Sequence, residues 1–197
     1  MKPVEPLGPH PLRGRFVALE PLEPCHHAEL LRAAADPAIW TYFPSTFALT
    51  SAAQLAASAE AMAAGTRLIY VVRRLEDGAV VGSTSYLAIT PADARVEIGS
   101  TWYVADARGT AVNPEAKYLL LENAFRAGYN RVEFKTDSRN AHSRAALKKL
   151  GATEEGTLRG HMWMPQGYFR DSVYFSILAA EWPDVRTALE RRLTPFA

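Results

Sequence analysis

The sequence predicts a single α/β domain in which helices flank a mixed, mostly antiparallel central sheet. A chain of 197 residues with 48% hydrophobic and 22% charged residues can bury one substantial core, and no linker or internal repeat divides it. Asp77-Gly78 separates two β-rich runs, which indicates an antiparallel hairpin. Further along, a strand, a helix and a second strand follow one another, an order typical of a parallel, right-handed crossover.

The N-terminal segment is rich in proline. Four prolines in the first twelve residues fix φ and remove backbone donors. We therefore expect residues 1–12 to form an extended arm that is a surface segment or poorly ordered, ahead of a domain at 13–197. A first strand is predicted at 15–19, followed by a helix at 24–35 that Pro37 stops.

The next segment is predicted to form a helix and then three strands. Ser51 is a favourable N-cap and Gly65 a favourable stop for a helix over the alanine-rich run between them. Residues 68–72 and 80–86 are the predicted hairpin strands, and 96–104 is the predicted third strand.

The second half contains the best-marked helix start of the chain. Asn113 as N-cap, Pro114 in the first turn and Gly128 as a stop define a helix, and Gly151 closes the next one. The predicted elements are a helix at 113–127, a strand at 132–136, a helix at 140–150, hairpin strands at 154–164 and 168–178, and a basic helix at 182–192.

Composition excludes several classes of function. Lysine and arginine number 22 against 21 for aspartate and glutamate, so no strong field attracts nucleic acid or an anionic membrane. Cys25 is the single cysteine, and Cys25-His26-His27 lacks the second ligand cluster of a typical zinc site. No apolar run approaches the roughly 20 residues that span a bilayer. We expect a soluble, cytoplasmic protein with no metal, no nucleic-acid partner and no membrane partner.

The loop at 108–113 has the features of an anion site. It joins the predicted strand at 96–104 to a helix N-terminus, where consecutive backbone N–H groups and the helix dipole favour a diphosphate. It lacks both the GxxxxGK[ST] pattern of a P-loop and the GxGxxG pattern of a dinucleotide-binding fold. The sequence therefore offers little support for a nucleoside triphosphate site or an NAD site. Because a single Gly also occurs in ordinary strand-to-helix turns, this loop alone leaves both interpretations open.

Two motifs resemble the GNAT superfamily of N-acyltransferases. Arg-Gly-Thr-Ala at 108–111 resembles its (Gln/Arg)-x-x-Gly-x-(Gly/Ala) pyrophosphate loop, with Ala111 where many relatives have a second Gly. Residues 137–152 are similar to the Asn-x-x-Ser-x-x-x-Leu-x-x-Leu-Gly signature of the branch that acetylates the N-termini of ribosomal proteins. Residues 97–99, 115–117 and 167–171 also fit that branch. The resemblance covers roughly residues 13 to 182.

The resemblance implies a GNAT-like sheet splayed at the cofactor loop and direct acetyl transfer from acetyl-CoA to a primary amine. A protein N-terminal α-amine is the first acceptor hypothesis, and a small amine is the second. A non-catalytic acyl-CoA-binding module of the same fold is the main alternative, and the presence of both Glu97 and Ser143 argues against it. An unrelated phosphate-binding enzyme would bind ATP or NAD instead. The sequence leaves a monomer and a homodimer open.

Two residues are the predicted catalytic groups. The resemblance implies that Glu97 accepts the proton of the amine, although a salt bridge to a neighbour such as Arg95 or Arg131 would also explain this residue. Leu147 stands where many relatives have a tyrosine that protonates the leaving thiolate. We therefore take Ser143 as the donor on the thiol side.

The remaining site residues are predicted from the same resemblance. Asn140 is expected to hydrogen-bond pantetheine, with plain N-capping of a helix as the alternative. The predicted cofactor-binding residues are Trp102, Tyr103, Val104, Arg108, Gly109, Thr110, Ala111, Val112, Asn113, Asn140 and Ser143. The predicted acceptor-side residues are Trp40, Tyr42 and Arg170, for which core packing or cross-strand pairing is the alternative.

Overall fold

Eight strands form one sheet in the computed structural model, which describes residues 3–44 and 49–196. The strands are β1 (Leu12–Arg13), β2 (Val17–Pro21), β3 (Arg67–Arg74), β4 (Val80–Thr90), β5 (Arg95–Tyr103), β6 (Arg131–Asp137), β7 (Thr153–Met164) and β8 (Tyr168–Leu178). Their order within the described residues is β1-β2-β3-β4-β5-β6-β8-β7. Every neighbouring pair is antiparallel except β5 with β6, so the predicted mixed, mostly antiparallel sheet is confirmed.

Helices cover both faces of this sheet. Those in the described ranges are α1 (His27–Ala33), α2 (Ala52–Ala63), α3 (Val112–Arg126), α4 (Ala141–Leu150) and α5 (Trp182–Leu193). On β3, Leu68 and Tyr70 join the core with α3, α4 and α5, whereas Ile69 and Val71 join the core with α1 and α2. Alternation along a strand buried on both sides thus produces three layers. We call the two faces the α3 face and the α2 face.

End residues confirm the predicted helix and hairpin before β5. The Ser51 hydroxyl accepts a hydrogen bond from the Gln54 amide at 3.3 Å and caps α2. Gly65 follows α2 with a φ of 68°, and Gly78 has a φ of 72° in the turn between β3 and β4. Glycine is the residue that adopts this conformation without steric cost. From β5 onward, the observed strands and helices agree with the predicted bounds to within one or two residues.

The first strand begins later than predicted. The amides of Arg15, Phe16 and Val17 all donate to the carboxylate of Glu115 on α3, at 2.8, 2.6 and 2.7 Å. Arg15 and Phe16 therefore belong to this clamp, and β2 starts at Val17. The helix predicted after it is a short 3₁₀ turn, Pro24–His26, followed by α1.

The proline-rich arm is extended and mostly exposed, yet it is attached to the rest of the fold. The Glu5 amide donates to the carbonyl of Ala127 at 2.8 Å, and Val4 and Leu7 pack against the core of the α3 face. At its end, β1 pairs with β2. A two-residue strand carries too short a pattern to be predicted from sequence.

The prediction that Asn113 caps α3 is wrong. The N-cap position is Ala111, and the helix begins at Val112. The Thr110 hydroxyl accepts a hydrogen bond from the Val112 amide at 3.3 Å, which serves one of the free N–H groups of the first turn. Asn113 therefore lies inside that turn.

The parallel pair β5–β6 is short. Its pairing covers Arg95↔Arg131, Val96↔Val132 and Glu97↔Glu133, after which β5 continues beside β4 and β6 beside β8. Residues 98–103 of β5 and 134–137 of β6 are therefore not paired with each other. We call the space between these two segments the β5–β6 cleft. The cleft opens directly beyond Glu97.

A β-bulge at Ser100 changes which face the end of β5 presents. The β4–β5 pairing shifts register there, and Ser100 has a φ of 47°. Before the bulge, Ile98 lies in the core of the α3 face; after it, Tyr103 lies in that core and Trp102 packs on the α2 face. The bulge therefore turns Thr101 toward α3.

Candidate active site

Glu97 is a buried carboxylate at the point where β5 and β6 part. Its exposed fraction is 3%, and Lys135 on β6 places Nζ 2.9 Å from its Oε2. Gly99 makes room for the carboxylate, because a Cβ at that position would lie 2.8 Å from Glu97 Oε1. The ion pair therefore depends on a glycine two residues along the same face of β5.

Burial raises the pKa of Glu97, and the nearby charge of Lys135 opposes that shift. The alternative partners considered from sequence are engaged elsewhere: Arg95 pairs with Asp93 and with Glu133. Arg131 contacts Glu133 and Glu155. Glu97 is thus a carboxylate that stays close to its one cationic partner and whose affinity for a proton is raised by its surroundings.

A cavity of about 660 Å³ lies beside this ion pair on the α2 face. The small side chains Ala53, Ala57, Ser58 and Ala61 of α2 form one wall, and Glu97 and Lys135 form part of the other. A small amine could reach the carboxylate through this space. The sequence analysis did not identify Lys135, because its position depends on the register of β5 and β6. Glu97 pairs with Glu133, and Lys135 lies two residues further along β6 on the same face.

Arg170 on β8 is buried near the same charges. Its Nε donates to the Ser172 hydroxyl at 2.9 Å. Burial lowers the pKa of Arg170, whereas the charges of Asp137 and Glu97 act in the opposite direction. The structure thus brings two predicted residues, Glu97 and Arg170, into one electrostatic environment.

Of the predicted aromatic residues, Trp40 packs against the core of the α2 face. The Trp40 ring is 5.5 Å from that of Trp102 and 5.2 Å from that of Phe43. The Gln166 side chain from the β7–β8 turn donates to the Trp40 carbonyl at 3.4 Å. Trp40 and Tyr42 are half-buried and do not line the 660 Å³ cavity. Trp40 forms an aromatic cluster with Trp102 and Phe43 on the α2 face.

The loop at 108–113 has the geometry of an anion cradle. Gly109 has a φ of 79°, and no atom lies within 4 Å of the place a Cβ would take. The amides of Gly109, Thr110 and Ala111 have no acceptor among the described residues, although Thr110 Oγ1 donates to the Ala107 carbonyl at 2.8 Å. Arg108 Nε donates to the Tyr103 carbonyl at 3.1 Å, which fixes the entry to the loop. Free amides at the N-terminus of α3 suit a diphosphate.

The other predicted cofactor residues lie on β5 and α4. The Trp102 indole N–H and the Tyr103 hydroxyl are buried without a hydrogen-bond partner, whereas the Val104 amide donates to the Val81 carbonyl. Asn140 Oδ1 accepts from the Ser143 amide at 3.0 Å, so it caps α4. The Ser143 hydroxyl has no partner among residues 3–44 and 49–196.

A buried lysine was missed from sequence. Lys117 on α3 is 7% exposed, its Nζ donates to Thr101 Oγ1 at 2.7 Å, and burial lowers its pKa to about 7. Its position within the apolar stripe of α3, beside Ala116 and one turn before Leu120, was a signal that this lysine is buried.

Two classes of feature are not found in the described part of the chain. No helix there is long and apolar enough to cross a membrane. No group of three or more His, Cys, Asp and Glu side chains in those residues is arranged to hold a metal ion.

Comparisons with known proteins agree with this geometry. A family model described as an acetyltransferase (GNAT) domain matches residues 17–153. The chain is 31% identical over 109 residues to the Bacillus subtilis (strain 168) protein named "Putative ribosomal N-acetyltransferase YdaF". That stretch covers 55% of this chain and 58% of the relative, so the chain spans little more than half of the relative's length.

Solved structures extend the likeness to nearly the whole chain. A GCN5-related N-acetyltransferase from Brucella melitensis is 28% identical, with a TM-score of 0.86 over 96% of this chain and 87% of that one. Mycobacterium smegmatis RimJ, solved in complex with CoA-disulfide, is 25% identical, with a TM-score of 0.78 over 93% of both chains.

Proposed function

The chain belongs to the GNAT family of N-acetyltransferases, and we propose that it transfers an acetyl group from acetyl-CoA to a primary amine, in the cytoplasm, through the β5–β6 cleft. One observation carries this proposal. The cleft has an anion cradle after the end of β5 and a buried carboxylate, Glu97, where the two strands part. A cofactor with a diphosphate at one end and a reactive group at the other matches that arrangement.

Acetyl-CoA would supply the activated acetyl group as a thioester. The amides of Gly109, Thr110 and Ala111 would hold its diphosphate, and open space beside Gly109 supports a close approach to the backbone. Asn140 would contact pantetheine through the amide group that its capping bond leaves free.

Glu97 is proposed as the base that takes the proton of the amine. A general base works best when its pKa lies near the working pH, and burial moves the pKa of Glu97 in that direction. Lys135 keeps a fraction of the carboxyl groups ionised, which a base requires. Ser143 is proposed as the hydrogen-bond donor on the thiol side, because its hydroxyl is half-buried and free in the described structure.

A protein N-terminal α-amine is the proposed acceptor. Support comes from the relative's name as a ribosomal N-acetyltransferase, from Trp40 packed beside Trp102 on the α2 face, and from the buried Arg170, which interacts electrostatically with Glu97. A small amine is the second candidate, favoured by the small side chains that α2 contributes to the 660 Å³ cavity.

Thiol release measures the proposed reaction directly. The protein is incubated with acetyl-CoA and a panel of N-terminal peptides and small amines, with ATP and NAD tested in parallel for thermal stabilisation. We expect amine-dependent release of CoA and a higher melting temperature with CoA but not with ATP or NAD. Stabilisation by ATP alone would contradict the assignment, and CoA binding without turnover of any amine would favour a binding module.

A further inference from the structure

Lys117 is a buried cation that the roles assigned above leave unexplained. Its side chain is 7% exposed, and no acidic side chain in the described residues forms an ion pair with it. An ammonium group has three donors, and the hydrogen bond recorded for this one goes to Thr101 Oγ1. Methionine or leucine would fill the same stripe of α3 without the cost of burying an amine. The burial of an amine at this position therefore indicates a chemical role for it.

The position of Lys117 relates it to the cleft. Its Nζ lies 2.7 Å from Thr101 Oγ1 on β5 and 5.9 Å from the centre of the Phe134 ring on β6. Thr101 and Phe134 both lie where β5 and β6 are no longer paired with each other. The bulge at Ser100 is what turns Thr101 to this face, and Thr101 is held in turn by Thr84 Oγ1 at 2.8 Å. The amine therefore lies on the α3 side of the β5–β6 cleft, between its two edges.

The other titratable groups near this face either have a pKa that burial raises or are held by other partners. Burial raises the pKa of each tyrosine in this core, namely Tyr70, Tyr86, Tyr103 and Tyr129. On α3, Glu115 is bound by three backbone amides; at the end of β6, Asp137 accepts from the Tyr168 hydroxyl and the Arg139 amide. The remaining charged groups of β5 and β6 beside the cleft, Glu97, Glu133 and Lys135, form their ion pairs with one another and with arginines.

Acetyl transfer from a thioester needs a proton on the thiol side. As the C–N bond to the amine forms and the C–S bond breaks, the sulfur leaves as a thiolate unless a donor protonates it. Burial brings the pKa of Lys117 to about 7, so this amine holds a proton at neutral pH and can release it. A serine hydroxyl such as that of Ser143 can donate a hydrogen bond but does not give up its proton in this range.

We propose that Lys117 is a catalytic residue that donates the proton taken up by the departing CoA thiolate, with Thr101 as its positioning residue. The inference rests on the proposed function. In each turnover the amine nitrogen gains the acetyl group and loses a proton to Glu97, the sulfur takes a proton from the Lys117 ammonium, and both side chains return to their starting states by exchange with solvent.

The first test compares Lys117→Met and Lys117→Arg with Lys148→Met, an exposed lysine paired with Glu154 at 2.9 Å, as the matched control. We expect kcat to fall by about 10² to 10⁴ in both Lys117 variants, because arginine keeps the charge but does not release a proton. We also expect the fall of wild-type kcat above the pKa of Lys117 to disappear in both. Full activity in Lys117→Arg would overturn the proposal in favour of a purely electrostatic role.

The second test does not depend on turnover. Ultraviolet absorbance of the thiolate gives the thiol pKa of CoA bound to the wild-type protein, to Lys117→Met and free in solution. A neighbouring ammonium should lower the bound thiol pKa by about 1 to 3 relative to the Lys117→Met complex. If that variant does not fold, the comparison of bound with free CoA in the wild type decides. Equal values would place Lys117 away from the sulfur and overturn the proposal, even where amine acetylation succeeds. Absence of acetylation together with a lowered thiol pKa would instead count against the proposed function.

Discussion

The two faces of the sheet differ in the partner that each provides for a buried charged side chain. On the α2 face, Glu97 is buried beside Lys135, so each charge has a partner at 2.9 Å. On the α3 face, Lys117 is also buried, and it donates a hydrogen bond to the neutral hydroxyl of Thr101. Burial moves the pKa of both groups toward neutral pH: it raises the pKa of Glu97 and lowers that of Lys117. The cleft between the faces thus has the proposed proton acceptor on one side and the proposed proton donor on the other.

The difference in pairing has a physical consequence. A paired charge keeps part of its ionised population when buried, because the partner replaces some of the lost hydration. Burial without a charged partner weakens the hold of an amine on its proton, so at neutral pH the amine is partly protonated and can release that proton. Glu97 is suited to accept a proton while remaining ionised at rest, and Lys117 is suited to release one. Four substitutions test this contrast, beginning with the largest expected effect.

Glu97→Gln removes the acceptor on the α2 face. We expect kcat to fall by about 10² to 10⁴ and the rise of activity with pH to disappear, since a base must be deprotonated and burial raises its pKa. Steady-state rates from pH 5 to 9 check this, with circular dichroism to establish folding. Retention of more than a tenth of the wild-type rate would show that water takes the proton and that Glu97 only fills the ion pair with Lys135.

Gly109→Val tests where the cofactor binds. The side chain would occupy the open space beside the loop amides, so we expect the Kd of CoA to rise at least tenfold, with kcat at saturation changed much less. Gly78→Val is the matched control: Gly78 also has positive φ and open space, so it shares the backbone strain but lies in the β3–β4 turn. Calorimetric titration with CoA measures both. Equal weakening in the two variants would trace the effect to strain rather than to the site.

Lys117→Met should make the folded protein more stable at neutral pH. Because burial lowers the pKa of Lys117 to about 7 from its ordinary 10.5, the unfolded chain binds this proton more tightly between those values. The destabilisation is therefore absent above about pH 10.5, grows as the pH falls toward 7 and is constant below it. We expect a melting temperature higher by roughly 5 °C at pH 7, with the gain fading toward pH 10. A pH-independent difference would mean that packing, not the buried charge, sets the effect.

Ser143→Ala should have the smallest effect. If its hydroxyl only positions the thiol, the loss is that of one hydrogen bond, about 1 kcal/mol, so kcat should fall less than tenfold with an unchanged pH profile. A decrease of 10² or more would contradict a merely positioning role for Ser143 and count against Lys117 as the donor. The pH profile of the variant separates the two cases.

Local patterns made most of the fold predictable from the sequence. The Asp-Gly turn, the Ser51 cap and the glycine stops act within a few residues, and the elements they define are present in the structure. The cap of α3 was predicted wrongly because the helix begins one residue before Asn113, at Val112, with Ala111 as its N-cap and Thr110 accepting from the Val112 amide.

The site was predictable only in part. Glu97 was found through a motif, and its position at the opening of the cleft agrees with a catalytic role that remains a prediction. Its partner Lys135 depends on the register of a parallel pair whose strands are separated by a whole helix, and Lys117 depends on a bulge that reverses the facing of Thr101. Register and bulges arise from tertiary pairing, so local periodicity does not reveal them.

The clamp between Glu115 and the start of β2 connects the N-terminal segment to the helix that follows the anion cradle. Glu115 stands in the first turn of α3, four to six residues after the loop amides. It accepts hydrogen bonds from the amides of residues 15–17, which lead into β2, three positions from β5 in the sheet. Gly14 allows this approach, since a side chain there would collide with the carboxylate. The match to the GNAT family model begins at residue 17, within the clamp. A shortened chain that began there would keep the proposed cofactor-binding residues and lose Arg15 and Phe16, two of the three residues whose amides hold Glu115.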